Sequence, residues 1–302
     1  MIPTRDEDKR ERVRSVRAGR HRAAGGRSSF SGGFRALGEL AYQGAQVSAS
    51  VLDLSSRALL VSIDDRVAVP TASIGKVLLL IEVSARITAR DFAGYGILDK
   101  TPGDNVADSG IWRHLQAPAL PVADLAALVG ATSDNLATNV LLRAVGLDAV
   151  RGRAESLGLK RTALLDLVRN RRGPDDAPQL SVGSASELAW LFGALSRGEV
   201  VDPVTSQRVL GWLSLNTDLS MVASAFGLDP LAHREEDHGI LLVNKTGTDT
   251  GVRAEAGVVR SPTAGVAYAV TVQFDDTDLA TRLRVLHAMR TFGGDLLEHL
   301  QA

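Results

Sequence analysis

The sequence predicts an α+β fold, with one β-sheet and an inserted helical lobe, on two observations. Segments in which apolar and polar residues alternate occur towards both ends of the 302-residue chain, at about positions 47–61 and 240–274. Between them, from about 73 to 220, the apolar residues mostly recur with the 3.6-residue period of helices. Because strands from both ends can share one sheet, we expect the helical middle to form a second lobe, with a cleft between the two.

The first strands are predicted as a hairpin. Val47, Ala49 and Val51 alternate with polar or small residues, and residues 57–61 return after a turn at 54–56. Ser73 then begins a helix, whose apolar side chains are Val77, Leu78, Leu80, Ile81 and Val83.

Further helices are indicated by their end signals. Pro121 begins a helix that reaches Val129, and Leu136–Val145 is another. Ser184 and Glu187 form a capping box before an apolar run. Asp202-Pro203 places an N-cap before a proline at the first helical position.

After Gly239 the pattern returns to strands. Ile240–Thr246 and Arg253–Arg260 are two strands, and residues 266–274 are a third with one buried face, which makes five strands in all. The last helix is predicted over Thr277–Leu300, with a core stripe of Leu279, Leu283, Leu286, Met289 and Leu296. The predicted division is a disordered basic tail (1–36), an α/β lobe (37–72 plus 221–302) and a helical lobe (73–220).

Composition excludes several classes of protein. The net charge of −1 gives no reason to expect binding to nucleic acid or a membrane, and the chain has no cysteine for disulfides, thiol catalysis or metal ligation. The arginine-rich residues 1–36 contain no apolar core of a secretory signal. They are expected to be disordered, with a nucleic-acid or lipid contact as the alternative. As written, the sequence predicts a cytoplasmic monomer; a misassigned start would leave export open.

Three short strings occur once each, in this order: Ser73-Ile-Gly-Lys76, Ser133-Asp134-Asn135 and Lys245-Thr246-Gly247. Only five lysines are present in the chain, and two of them lie in these strings. An ammonium can lose its proton when it is desolvated, whereas a guanidinium cannot. The strings therefore indicate a serine acyl-transfer site whose general base is a lysine.

Ser73 and Lys76 are the predicted nucleophile and base. At the first turn of a helix, residues three apart share a face, so the amine can reach the hydroxyl. Burial and a nearby cation, for which Lys245 is the candidate, would lower the pKa of the Lys76 amine. Alone, this spacing is common to many helix starts.

The second string also has an ordinary explanation, since Ser, Asp and Asn are all favoured helix caps. In combination with the first, Ser133 can relay a proton to the leaving nitrogen, and Asn135 can orient a substrate amide and Lys76.

The third string ends a strand. Lys245 and Thr246 are the predicted binders of a substrate carboxylate, with Arg253 as a possible assistant. Gly247 would let substrate lie against the strand edge. The backbone N–H groups of Thr248 and Ser73 would form the oxyanion hole.

These strings are the signature of class A β-lactamases and penicillin-binding proteins, and the chain resembles that superfamily over roughly residues 40–300. Residues 133–142 are similar to the family's stretch after S-D-N, and residues 47–53 to its first strand. The resemblance implies an antiparallel sheet flanked by helices, a helical lobe, an acyl-enzyme on serine and no metal or other cofactor. It also implies a small carboxylate-bearing β-lactam, or an ester, as substrate.

One family feature is absent. Class A enzymes deacylate with a Glu in an Ω-loop, in an E-x-x-L-N string after L-D-R, and residues 162–170 contain no Glu. Aligning Leu165-Asp166 with the family's L-D places Arg169 at the Glu position and leaves no base. Aligning Asn170 with the family's Asn places Asp166 there instead. We favour the first alignment; under the second, the shorter Asp166 would position water poorly and turnover would be slow.

Other candidates have simpler explanations. Capping explains Glu187, while Glu255 remains a candidate base one strand beyond Lys245. Trp112 is either a core residue or an aromatic lining the cleft. Trp190 and Trp212 are predicted in the core, and His233 and His238 in surface loops without metal spacing.

Three functions remain open at this point. The first is a serine hydrolase that is acylated by β-lactams and hydrolyses them, with slow deacylation. The second is an esterase or D-amino-acid peptidase with the same serine. The third is a covalent β-lactam-binding protein without turnover. The missing Glu favours the second and third, and the complete set of three strings favours the first two.

Overall fold

A computed structural model describes residues 30–302. Residues 1–29 of the predicted basic tail lie outside the described residues. Its predicted end at residue 36 is wrong, because the first helix begins at Ser31.

The strands within residues 30–302 are β1 (Gln46–Asp53), β2 (Leu59–Ile63), β3 (Val69–Pro70), β4 (Ile97–Asp99), β5 (Ala119–Pro121), β6 (Ala163–Leu164), β7 (Ser181–Gly183), β8 (Leu241–Asp249), β9 (Val252–Arg260) and β10 (Gly265–Gln273). The α-helices are α1 (Ser31–Tyr42), α2 (Lys76–Ala89), α3 (Val122–Thr132), α4 (Asn135–Val145), α5 (Leu147–Ser156), α6 (Ala185–Ser196), α7 (Pro203–Leu213) and α8 (Leu279–Gln301). Short 3₁₀ turns include Ala72–Gly75, which leads into α2.

The main sheet confirms the predicted five strands and their origin at both ends of the chain. Its order is β2-β1-β10-β9-β8, and all neighbours are antiparallel. Strand β8 lies at one edge, so one side of it pairs with β9 and the other is free to face the turn at Ala72–Gly75.

The sheet separates two apolar cores. One lies between the sheet and α1 and α8, and the other lies between the opposite face and the inserted helices. Helix α6 packs directly on β1 and β10, although the predicted division places it in the helical lobe. Strand β10 buries both faces rather than the expected one, because its small Ala267 and Ala269 face the second core while Tyr268 and Val270 face the first.

Two helices present different faces from those predicted. Leu279 and Leu283 of α8 are 65% and 54% exposed, contrary to the prediction, whereas Met289 and Leu296 are buried as predicted, together with Val285, Ala288 and Phe292. The first turns of α8 extend beyond the core, because no residue from 279 to 284 is buried and burial begins at Val285. In α6, Trp190 is 40% exposed, because it lies two residues from both Leu188 and Phe192 and so off their buried face. Trp112 and Trp212 are buried as core residues.

The helix caps follow the sequence signals closely. Ser184 accepts a hydrogen bond from the N–H of Glu187, and Asp202 accepts one from Thr205 ahead of Pro203. The Glu187 carboxylate turns away from Ser184 and accepts the N–H groups of Lys160 and Arg161, so the capping box is only half formed.

His233 is buried, contrary to the prediction of a surface histidine, and His238 is exposed. Nδ1 of His233 lies 3.1 Å from the carbonyl of Asp229. No helix within residues 30–302 has the length and apolar character needed to cross a bilayer.

Candidate active site

Ser73 lies in a turn that is held in an unusual backbone conformation. Ala72, directly before it, has a φ of 48°, in the left-handed region that costs a non-glycine residue about 1 kcal/mol or more. Ser181 of β7 fixes this conformation: its hydroxyl donates to the carbonyl of Ala72 at 2.6 Å, and its carbonyl accepts from the N–H of Thr71 at 3.1 Å. The turn is thus held in place by β7.

Two glycines allow this turn to approach its neighbours. A Cβ on Gly247 would lie 2.2 Å from the carbonyl oxygen of Thr71 and 3.2 Å from the nitrogen of Ser73. A Cβ on Gly75 would lie 2.3 Å from the Cβ of Ser181. Gly247 therefore brings strand β8 against the serine turn itself, whereas the sequence suggested room for substrate.

Lys76 is fully buried as the first residue of α2, and its amine forms hydrogen bonds with residues of the second string. Nζ donates to the carbonyl of Ser133 at 2.6 Å, to the Ser133 hydroxyl at 3.2 Å and to Oδ1 of Asn135 at 2.6 Å. Within residues 30–302 the hydroxyl of Ser73 forms no hydrogen bond, so the amine is oriented by the second string rather than by the serine beside it. Such catalytic contacts commonly tighten only when substrate is bound.

The pKa of the Lys76 amine is lowered well below its usual value. Burial is the largest cause, because a charged amine is poorly solvated in the interior, and the positive charge of Lys245 adds to it. The carboxylate of Asp134 opposes both. These are the two causes that the sequence suggested, and a deprotonated lysine is the form that can accept a proton.

Asp134, which was predicted only as a helix cap, also holds the loop at Ile111 and Trp112. One carboxylate oxygen accepts the N–H of Ala137 and caps α4, and the other accepts the N–H groups of Ile111 and Trp112 at 2.8 and 2.9 Å. Ser133 before it has a left-handed φ of 54°. The Ser133 hydroxyl and carbonyl are both thereby turned towards Lys76.

Lys245 is fully buried within β8, and its amine donates to the carbonyl of Thr246 at 2.8 Å. Burial lowers its pKa to about 8, and the carboxylate of Asp218 partly opposes this. Thr246 is 4% exposed and Thr248 is exposed, so the last part of β8 carries the string from the interior to the surface.

Arg253 faces Thr248 across the β8–β9 pair. Its guanidinium donates to the carbonyls of Asp249 and Val252, both at 2.8 Å, lies 3.9 Å from Asp276 and stacks on Phe274. These contacts hold the guanidinium at the end of the hairpin, close to the start of α8.

A buried polar network lies behind the third string. Glu255 is fully buried and accepts hydrogen bonds from Asn244 at 2.8 Å, from the Tyr268 hydroxyl at 2.7 Å and from the N–H of Ala223 at 3.3 Å. Asn244 also accepts a bond from Asn216 at 2.8 Å. Because Glu255 is satisfied inside this network, it is a structural group behind the site, and no water-activating role follows from its position.

Residues 165–180 form a closed Ω-loop between β6 and β7, with the N–H of Leu165 bonded to the carbonyl of Leu180 at 2.8 Å. Asp166 accepts bonds from Arg169 at 2.8 and 3.0 Å and from Arg172 at 2.6 Å. Arg169 also pairs with Asp176 at 3.1 Å. Both residues offered for the deacylation position are therefore engaged in the ion pairs that close this loop.

A different loop residue is fixed next to the second string. Asn139 lies one helical turn beyond Asn135 in α4, and its carboxamide accepts the N–H of Val168 at 2.9 Å and donates to its carbonyl at 3.0 Å. This contact was not predicted from the sequence. The available signal was the Asn135–Asn139 spacing, which places two carboxamides on one face of a helix.

Together these elements place a serine hydroxyl, two buried amines, a second hydroxyl and a carboxamide around one region between the sheet edge and the inserted helices. Such a set can accept a proton from the serine, return one through Ser133 and bind an anion near Lys245. Within residues 30–302 no group of three or more His, Asp or Glu side chains is arranged as a metal site.

A model of the beta-lactamase enzyme family matches residues 34–300. No curated protein sequence matches the chain.

Among solved structures, the chain is similar to a beta-lactamase from Sphaerobacter thermophilus, at 25% identity and a TM-score of 0.77, over 89% of this chain and 96% of that one. It is also similar to a mutant of PBP-A in an acyl-enzyme complex with penicillin G, at 18% identity and a TM-score of 0.73, over 89% and 96% of the chains. A third is a mutant class A β-lactamase of the last common ancestor of Gram-negative bacteria, at 23% identity and a TM-score of 0.73, over 88% and 98%. The last two likenesses are of fold alone.

Proposed function

The chain belongs to the beta-lactamase enzyme family and is a β-lactamase-like serine hydrolase, and we propose that it opens β-lactam rings through a slowly released acyl-enzyme on Ser73. The observation that carries this proposal is the buried amine of Lys76, bonded to Ser133 and Asn135 with its pKa lowered.

The acylation step uses groups that are all present. Ser73 Oγ attacks the lactam carbonyl carbon while its proton passes to the Lys76 amine. The carbonyl oxygen gains negative charge, which the N–H groups of Ser73 and Thr248 stabilise. As the C–N bond breaks, Ser133 donates its proton to the ring nitrogen and regains one from Lys76. Lys245 and Thr246 bind the substrate carboxylate.

Deacylation is the step that this chain supports poorly. Water must attack the ester carbonyl and lose a proton to a base, and Ser73 Oγ must take up a proton as its bond to the acyl carbon breaks. Asp166 and Arg169 neutralise one another, and the loop residue held by Asn139 is Val168, which has no base. We infer that Val168 stands at the deacylation position and that the acyl-enzyme is therefore long-lived.

The same observation favours a second candidate, a covalent β-lactam-binding protein without turnover. An esterase or D-amino-acid peptidase with the same serine remains the third. A monomeric state, a cytoplasmic location and the absence of nucleic-acid partners stay predictions from the sequence.

One experiment separates these functions. The protein is mixed with a chromogenic cephalosporin, and colour and intact mass are followed together. Steady colour indicates a β-lactamase, and a stoichiometric burst with a persistent adduct indicates a covalent binder. Cleavage of a p-nitrophenyl ester without any adduct indicates an esterase.

The Ser73→Ala variant tests the site itself. We expect it to abolish both colour and adduct, whereas Ser156→Ala, an exposed serine on α5, leaves them unchanged. An adduct that persists in Ser73→Ala would refute the assignment of the nucleophile.

A further inference from the structure

A short segment, residues 105–110, is tied directly to Asn135; we call it the rim segment. The Nδ2 of Asn135 donates to the carbonyl of Ala107 at 2.9 Å, and its backbone N–H donates to the carbonyl of Ser109 at 3.0 Å. Asp108 lies between these two carbonyls. Its backbone is thus fixed next to the same asparagine whose Oδ1 accepts a hydrogen bond from Lys76.

The rim segment is also tied to the Ω-loop. The N–H of Ala107 donates to Oδ1 of Asn170 at 2.7 Å, so the segment bridges α4 and the loop beside the site. Asp108 has a φ of 65°, a left-handed conformation that Asp and Asn tolerate better than other non-glycine residues. These contacts hold Asp108 in one place.

The carboxylate of Asp108 is not neutralised. Its side chain is exposed, and within residues 30–302 it has no hydrogen-bond or ion-pair partner. The neighbouring carboxylates are paired: Asp104 with Arg143 at 3.1 Å, and Asp166 with two arginines of the loop. Asp108 therefore contributes an uncompensated negative charge beside Asn135.

We propose that Asp108 determines specificity, favouring β-lactams whose acyl side chain carries a positive charge over those whose side chain carries a negative one. This inference rests on the proposed function of the same site. One amide hydrogen of Asn135 Nδ2 is used by Ala107, and the other is available to the substrate's amide carbonyl. A substrate held there extends its acyl side chain past Asn135, towards the rim segment, where an ammonium is attracted and a carboxylate repelled.

Three penicillins that differ at one position of the side chain test this charge preference. Ampicillin carries an ammonium there, benzylpenicillin carries no charge and carbenicillin carries a carboxylate. The second-order rate of adduct formation is measured for each by intact mass, in the wild-type protein and in Asp108→Asn. Asparagine preserves the left-handed backbone, so the variant removes the charge and leaves the fold, which a thermal melt checks.

The wild-type protein should react faster with ampicillin than with carbenicillin, and Asp108→Asn should reduce that ratio roughly fivefold, as expected for exposed charges. Salt at 1 M should reduce the wild-type ratio by a similar factor, because it screens charges across a solvent-exposed gap. The matched control is Asp91→Asn, an exposed aspartate beyond the far end of α2, roughly 20 Å of helix from Lys76.

An unchanged ratio in Asp108→Asn, or an equal change in Asp91→Asn, would overturn the inference while adduct formation itself upheld the proposed function. If the wild-type protein formed no adduct with any of the three penicillins, the proposed function would fail first, and this inference would fail with it.

Discussion

The buried Glu255 should make the stability of this protein depend on pH in a direction opposite to that of most carboxylates. Burial is the largest influence on it, and the hydrogen bonds from Tyr268, Asn244 and Ala223 only partly offset that influence. The result is a pKa raised from the usual 4.5 to about 7. Between these two values the folded protein holds a proton that the unfolded chain has released.

The size of the effect follows from the shift. From 4.5 to about 7 is about 2.5 pKa units, and each unit is 1.36 kcal/mol, so Glu255 reduces the free energy of unfolding by about 3 kcal/mol once the pH exceeds 7. Relative to alkaline pH, the protonated Glu255 stabilises the folded state by this amount below pH 4.5, and this stabilisation is lost as the pH rises to about 7. The group therefore favours the folded state in acid.

The perturbation is Glu255→Gln, which cannot ionise. Its amide faces three donors, and its NH₂ group meets at least one of them, so we expect a pH-independent loss of about 1–3 kcal/mol. The difference in the free energy of unfolding between wild type and variant, from urea titrations at pH 4 to 8, should change by about 3 kcal/mol across that range. The free energy of unfolding of the variant, relative to that of the wild type, should be higher at pH 8 than at pH 4.

Glu39→Gln is the matched control, because Glu39 is exposed on α1. The Glu255 titration is present in both Glu39→Gln and the wild type, so the loss of about 3 kcal/mol that we attribute to Glu255 should remain in this variant. If the curves of Glu255→Gln and wild type were parallel between pH 4 and 8, the reasoning about Glu255 would be wrong.

Two further predictions concern the two chemical steps. Replacing Lys245 by Met removes a cation that lowers the pKa of Lys76, so the acid limb of the pH profile of the acylation rate should move to higher pH. The control Lys160→Met, at the surface, should leave that limb in place. An acid limb that is unchanged or moves to lower pH in Lys245→Met would contradict this electrostatic coupling. Replacing Val168 by Glu supplies a base at the position held by Asn139, and the adduct should be released roughly 100-fold faster or more, as general bases typically contribute. The isosteric Val168→Gln should show no such acceleration, and an equal adduct lifetime in the Glu and Gln variants would refute the placement of Val168.

The sequence was most informative where chemistry depends on short, local spacings. Ser73 and Lys76 lie three residues apart on one helical turn, and Asp202-Pro203 marks a helix start that the structure contains. The strands were predictable because their alternation is a local property of the chain, and all five join one sheet.

Predictions that needed a partner from elsewhere in the chain fared less well. The burial of His233 depends on which surface covers it, and its neighbours along the chain do not specify that. The same applies to Gly247, whose small size serves the close approach of Thr71, a residue 176 positions earlier.

By itself the sequence determined the class of fold and predicted which groups react, because residue types, their order and their periodicity are properties of the chain alone. Only the tertiary structure decided that Lys76 is oriented by Ser133 and Asn135, that Asp166 is consumed in ion pairs and that Val168 is the loop residue beside Asn139. Hydrogen bonds and ion pairs act over about 3–4 Å, so they exist only between groups that folding has brought together.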